Sequence, residues 1–193
     1  RADRTVIEGV ITSLARYNPP FIDVTSRPAE PLKKHEGKIE RTRPGTLGLC
    51  GLIKEHGIEP VPHVLCRGFT REETEDFLIE AHILGVDNVL ALRADDDFPE
   101  KYLINGRSRN IYASDLVEQI QNMNSGRYLI PSSDSKPTSF CIGVACYPEK
   151  HKDSQHIDTD ISYFKRKVDA GASYAVTQMF FDNNYYFNYN LMI

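Results

Sequence analysis

Asn88-Val89-Leu90-Ala91-Leu92-Arg93-Ala94-Asp95 decides the fold: a strand-like apolar run that stops at polar residues. The same arrangement recurs along the chain. Phe21-Ile22-Asp23-Val24 runs into Thr25, and Val61-Pro62 leads into His63. Phe140-Cys141-Ile142-Gly143-Val144-Ala145-Cys146 runs into Tyr147-Pro148-Glu149-Lys150-His151, and Tyr174-Ala175-Val176-Thr177 runs into Gln178. Segments of helical spacing lie between. Such alternation implies a parallel sheet with helices outside, joined by right-handed crossovers. An open doubly wound sheet competes, but it usually carries a Gly-x-Gly-x-x-Gly turn after a strand, and this chain has none. The expected class is therefore α/β, a (β/α)8 TIM barrel. In that fold the C-terminal strand ends converge on one rim, where the chemistry takes place.

The helices read as follows. Val6, Ile7, Val10, Ile11 and Leu14 open the chain on a helix that Asn18-Pro19-Pro20 breaks. Arg27 to Arg43 is a long polar loop, and Pro44 suits the first turn of a helix carrying Leu47, Cys50, Ile53 and Lys54 to Gly57. Thr70-Arg71-Glu72-Glu73 is a capping box, followed by a stripe of Phe77, Leu78, Ala81 and Leu84 that Gly85 closes. Asp95 to Asn110 is a second polar loop, and Leu116, Ile120 and Met123 mark the next helix. Ile161, Phe164 and Val168 mark another, closed by Gly171. The last strand extends from Tyr174 to Phe180, and a helix begins near Asn184.

A chain of 193 residues is enough for one domain with a sizeable core. Its net charge of −4 and the lack of a dense Lys/Arg block argue against nucleic acid as a partner. The basic cluster of Lys33, Lys34, Lys38, Arg41 and Arg43 reads as a solvated loop. None of the four cysteines forms a Cys-x-x-Cys pair and there is no His-Glu-x-x-His, so no metal site is expected. Cys66, Cys141 and Cys146 fall in or beside strand runs and read as buried free thiols. With no signal peptide at the start, the expected compartment is the cytoplasm. No apolar run approaches the ~20 residues that span a bilayer, so no membrane is expected.

Taken singly, His63, Asp95, Tyr147 or Gln178 says little. The ordered set is specific. Asp23-Val24-Thr25, Arg43-Pro44-Gly45-Thr46, Val61-Pro62-His63, Asn88 to Asp95, Tyr112-Ala113-Ser114-Asp115-Leu116, Ala145 to His151, Lys167 to Ala172 and Thr177 to Asp182 together resemble methylenetetrahydrofolate reductase of the bacterial, single-barrel type. The resemblance runs over nearly the whole chain. It implies a flavoprotein holding FAD, which NADH or NADPH reduces and which passes a hydride to methylenetetrahydrofolate in ping-pong order. It also implies a homo-oligomer in one-carbon and methionine metabolism.

The resemblance carries residues over one by one. Thr25 and His63 match positions at the flavin site. Arg93, Ala94 and Asp95 match an Arg-Gly-Asp at a strand end, whose aspartate lies near both flavin and folate. Tyr112 and Ala113 match a flavin-contacting pair, and Tyr147 and His151 the contacts of the next strand. Asp160, Arg166 and Lys167 match a helix that reaches ribose and phosphates. Gln178 matches the glutamine that hydrogen-bonds the pterin and meets the nicotinamide. Thr25, Asp95 and Gln178 are thus the substrate-binding candidates, and Asp95 and Gln178 the catalytic ones. These types suit the chemistry: a carboxylate stabilises a cationic hydride acceptor, Arg93 and Lys167 suit a diphosphate, and a glutamine amide matches the paired donors and acceptors of a pterin edge.

Three departures stand out. Ala94 replaces the family glycine, which is strained if that residue has φ > 0. Cys146 replaces a small residue before Tyr147-Pro148. The segment with the family's proton-donating glutamate and the last two strands have no counterpart, leaving five strands where the barrel has eight. The expected organisation is a single catalytic-barrel domain over residues 1–193, covering about strands two to six and truncated at both ends. Two rivals remain: a non-catalytic flavin- or folate-binding remnant of such a barrel, and a different barrel enzyme with a phosphate-bearing cofactor.

Overall fold

The computed structural model describes residues 3–26, 44–94 and 107–193. Within them the elements are α1 (Arg4–Ala15), β1 (Phe21–Val24), α2 (Thr46–Glu55), β2 (Glu59–Leu65), α3 (Arg71–Ile83), β3 (Asn88–Leu92), α4 (Ala113–Asn124), β4 (Cys141–Cys146), α5 (Ile157–Asp169), β5 (Tyr174–Thr177) and α6 (Asn183–Met192). The strands lie side by side in chain order, and every neighbouring pair is parallel. A doubly wound sheet would reverse its order at a switch point. This one does not, and it forms a curled half-barrel with its helices outside. The expected loop from Arg27 to Arg43, its basic cluster, and the part of the second loop from Asp95 to Gly106 lie outside the described residues.

Alternation along each strand divides the side chains between two faces. Val24, Val64, Val89, Ala91, Ile142 and Val144 face the helices, where they pack with Cys50, Leu78, Leu116, Ile120 and Phe164 in one core. Full burial of each valine, leucine or isoleucine side chain here stabilises the fold by roughly 1.5–3 kcal/mol. The opposite, concave face carries Val61, His63, Leu65, Leu90 and Tyr174. Register sets His63, Leu90, Gly143 and Tyr174 at one level across four strands. The Tyr174 ring lies directly over Gly143, and its hydroxyl donates to the Val89 carbonyl at 3.4 Å.

Local chemistry explains the element ends. Thr70 Oγ1 accepts from Glu73 N at 3.2 Å while Glu73 Oε2 accepts from Thr70 N at 2.9 Å, the expected capping box. Gly85 and Gly171 close α3 and α5 at φ +70° and +115°. Some expected stripes shift. On α3 the buried residues are Thr74, Leu78 and Ala81, whereas Leu84 is the exposed C-cap. Thr74 tolerates burial because its hydroxyl donates to the Thr70 carbonyl at 3.0 Å. On α1 only Ile11 is buried, and Val6, Val10 and Leu14 are exposed. Val168 on α5 is also exposed. β5 ends at Thr177 rather than Phe180, although Gln178 N still donates to the Cys146 carbonyl at 2.8 Å. The four cysteines are free, and Cys141 is only partly buried.

The N-terminal ends of the strands are tied by a polar network. Glu59 Oε1 accepts from Asp87 N and Asn88 Nδ2, both at 3.2 Å, and Lys54 Nζ bridges Glu59 to the Gly85 carbonyl. Polar groups at this end of a barrel serve stability. Among the described residues no helix is long and apolar enough to cross a membrane.

Candidate functional site

Because all five strands run the same way, the residues at their C-terminal ends share one rim. Thr25 follows β1, His63 lies near the end of β2, Arg93 and Ala94 follow β3, Tyr147 follows β4, and Gln178 follows β5. Asp95, the leading catalytic candidate, lies outside the described residues.

The rim is best defined over β3 and β4. Arg93 Nη1 stands 4.0 Å from Asp153 Oδ2, and His151 Nδ1 stands 3.7 Å from the same oxygen. Asp153 N also lies 3.1 Å from His151 Nδ1. The rings of Tyr147 and His151 meet edge to face at 4.5 Å. Asp160 is buried at the start of α5 and accepts from His151 N and Ser154 Oγ, both at 3.4 Å. Lys167 reaches back along α5 to donate to the Ala145 carbonyl, with its ammonium 5.7 Å above the Phe164 ring. Burial holds that ammonium below the ordinary lysine range, and Asp160 pulls it back upward.

Ala94 has φ +74°, the left-handed conformation that makes its methyl costly. Tyr112 is the N-cap of α4 and Ala113 its first residue. The Asp115 carboxylate accepts from Ile111 N at 3.1 Å and Tyr112 N at 2.9 Å and holds this start. A cavity of about 80 Å³ opens between these elements, lined by Arg67, Phe69, Arg93, Arg109, Asn110 and Ile111 among others.

Deeper on the concave face, His63 Nε2 is 3.9 Å from Asp23 Oδ1. Burial lowers the His63 pKa while Asp23 raises it, and burial raises the Asp23 pKa while His63 lowers it. Burial pushes the Tyr174 hydroxyl up to about 12, with Asp23 and Cys141 adding to the shift. The Cys66 thiol is also pushed up to about 12, mainly by burial, which leaves it inert.

The structure thus gathers Arg93, Tyr147, His151, Asp160 and Lys167 into one connected cluster. His63 instead faces Asp23, which is exposed on β1. Thr25 is exposed at the end of β1. Gln178 joins through its backbone, and its exposed side chain accepts from Met179 N at 3.1 Å. Arg166 is exposed in the last turn of α5, which runs away from the rim. Sequence reasoning passed over Asp153, Asp23, Arg67 and Arg109. Asp153 sits two residues past His151 and Asp23 two before Thr25, but only the fold shows what they face. Guanidinium groups around a cavity, beside the edge-to-face Tyr147–His151 pair, suit an anionic ligand.

The sequence model of the family described as methylenetetrahydrofolate reductase matches residues 4–193. The chain belongs to the methylenetetrahydrofolate reductase family. It is similar to 5,10-methylenetetrahydrofolate reductase of Salmonella typhimurium, 32% identical over 181 residues that cover 93% of this chain and 51% of that one. It is also similar to methylenetetrahydrofolate reductase 1 of Schizosaccharomyces pombe, 36% identical over 138 residues, 71% of this chain and 21% of that one. The relative from Pectobacterium carotovorum is 29% identical over 180 residues, 93% of this chain and 50% of that one. The chain therefore spans about half the length of the bacterial relatives it matches. As a member of the methylenetetrahydrofolate reductase family, it carries the half-barrel and the rim described above.

Proposed function

We propose that this chain forms the central part of a flavin-dependent methylenetetrahydrofolate reductase, an oxidoreductase that uses NADH or NADPH to reduce 5,10-methylenetetrahydrofolate to 5-methyltetrahydrofolate. The observation that carries the reading is the rim cluster of Arg93, Tyr147, His151, Asp160 and Lys167 in a chain of this family. The donor set fits FAD. Arg93 and the Arg67 and Arg109 that share its cavity offer planar guanidinium forks for phosphate oxygens. Tyr112, Ala113 and Tyr147 offer contacts at the edge of a ring system, and Ala94 at φ +74° turns the chain from β3 onto the rim. When bound, FAD supplies the two-electron carrier between nicotinamide and folate.

The chain's own residues then divide the work. Arg93 and Lys167 balance phosphate charge. His63, held beside Asp23, and Thr25 line the approach from β1 and β2. Gln178 orients the pterin edge through an amide that both donates and accepts. Asp95 stabilises positive charge on the folate as it accepts hydride, an effect on the order of 3 kcal/mol for a preorganised group. Localisation to the cytoplasm and assembly as a homo-oligomer complete the proposal.

The experiment is spectroscopic. The purified chain, supplied with FAD, should show a bound-flavin band that bleaches anaerobically under NADH or NADPH and returns when methylenetetrahydrofolate is added. A chain that takes up no flavin would sink the reading. Flavin that binds but never bleaches would replace it with the non-catalytic binding remnant.

A further inference from the structure

Gln119 is polar, almost wholly buried, and sits in the middle of α4, where no rim chemistry reaches it. A buried amide is costly unless both of its ends are used. Both are. Gln119 Oε1 accepts from Asn110 Nδ2 at 2.6 Å, and Gln119 Nε2 donates to the Arg71 carbonyl at 2.8 Å. Asn110 is itself buried. The same stretch is tied twice more to the start of α3, because Arg71 N donates to the Ser108 carbonyl at 2.8 Å and Ser108 N to Glu72 Oε1 at 3.4 Å. Residues 108–112 are therefore fastened to two helices at once. The fastening is almost entirely polar, since Ile111 and Tyr112 are both more than half exposed and supply little apolar anchorage.

What this stretch carries gives the fastening its meaning. Arg109, Asn110 and Ile111 line the rim cavity opposite Arg93, and Tyr112 and Ala113 follow at once. We propose that Gln119 is a positioning residue: through Asn110 and the Arg71 carbonyl it sets residues 108–112 at the rim, and so sets Arg109 and Tyr112 against the bound cofactor. The effect on the cofactor rests on the flavin reading, whereas the placement of residues 108–112 is independent of it. A leucine would fill the same volume and bury more favourably, so helix packing alone does not call for glutamine here. Loss of the amide strands a buried donor on Asn110 and removes the bond that ties α4 to the Arg71 carbonyl at the start of α3.

The test exploits the absence of tryptophan from the chain. Tyr112→Trp installs a single reporter on the fastened stretch. Gln119→Leu in that background should lower the fluorescence anisotropy of the tryptophan. Ile120→Val, a core change on the same helix, serves as the control, with the two variants compared at matched distance below their melting temperatures. In chains that keep Tyr112, Gln119→Leu should weaken FAD retention about tenfold. Anisotropy that is unchanged, or that falls equally in the Ile120→Val control, overturns the proposal and leaves Gln119 a packing residue. Anisotropy that falls with FAD retention unchanged overturns the positioning role. The anisotropy arm needs no flavin, whereas failure of the parent chain to bind any FAD would count against the flavin reading instead.

Discussion

Ala94 is strained where the chain leaves β3 for the rim. A left-handed non-glycine residue costs roughly 1–2 kcal/mol, and such outliers collect at functional sites. Glycine removes the methyl clash but adds unfolded-state freedom worth roughly 0.5–1 kcal/mol. The strain is the larger of the two, so Ala94→Gly should raise stability by up to about 1 kcal/mol, read as a higher urea midpoint at constant slope. A lower midpoint would mean that neighbours favour the left-handed alanine. His63 makes a different statement, about pH. Its folded pKa is below the ordinary 6.5 because burial outweighs Asp23. On acidification the unfolded chain takes up the proton first, so stability falls as pH drops from 6.5 toward the folded value. Asp23, raised by burial, works oppositely and at lower pH, where the folded chain takes up the proton first. The stability difference between the parent and His63→Gln, measured by urea at about pH 8 and about pH 5.5, should shift against the parent at the acid end. A pH-independent difference would show that His63 is not desolvated.

Elements were legible to the extent that their signals are local. The capping box at Thr70 and the glycine stop at Gly85 act within a few residues and appear where the sequence places them, and the apolar runs form the five strands, with β5 ending at Thr177 rather than Phe180. The stripe on α1 was not legible in the same way. Spacing identifies the helix, but what covers a face depends on the partner elements, and Val6, Val10 and Leu14 face outward. Nor could the sequence pair Asn110 with Gln119 or Asp23 with His63, because those contacts exist only once helices and strands have docked. Gly143 belongs here too. It reads as one small residue in an apolar run, yet a Cβ built on it would stand 2.3–2.6 Å from the Tyr174 ring of the neighbouring strand. β4 and β5 are thus packed through a glycine–tyrosine pair whose register is fixed. Gly143→Ala should cost about 1–3 kcal/mol as an overpacking change. Tyr174→Leu in the same chain should recover part of that, giving a non-additive double-mutant cycle. Simple additivity would show that the ring swings aside freely.

At the scale of the molecule, the described sheet has a centre and two margins. β2, β3 and β4 are paired on both sides, whereas β1 and β5 each have one described neighbour. Apolar side chains meet solvent at both margins, Phe21 and the outward stripe of α1 at one and Met179, Phe181 and Leu191 near the other, as do Ile83 and Ile130 elsewhere. Burial is deepest between them, at Val89, Ala91, Ile142 and Val144 against Leu78, Leu116 and Ile120. Opening free energy follows such gradients, because amides in deep, doubly paired strands exchange only through large-scale unfolding and edge amides through local opening. Amide exchange on the 193-residue chain should therefore show slow exchange at Val89 to Leu92 and Ile142 to Val144, with β1 and β5 faster. Added FAD should slow the residues after β3 and β4 more than the paired strand centres, because the rim cluster of Arg93, Tyr147 and His151 lies just beyond them. Uniform exchange across all five strands would mean that the margins are covered as fully as the centre, and the gradient drawn from pairing and burial would be wrong.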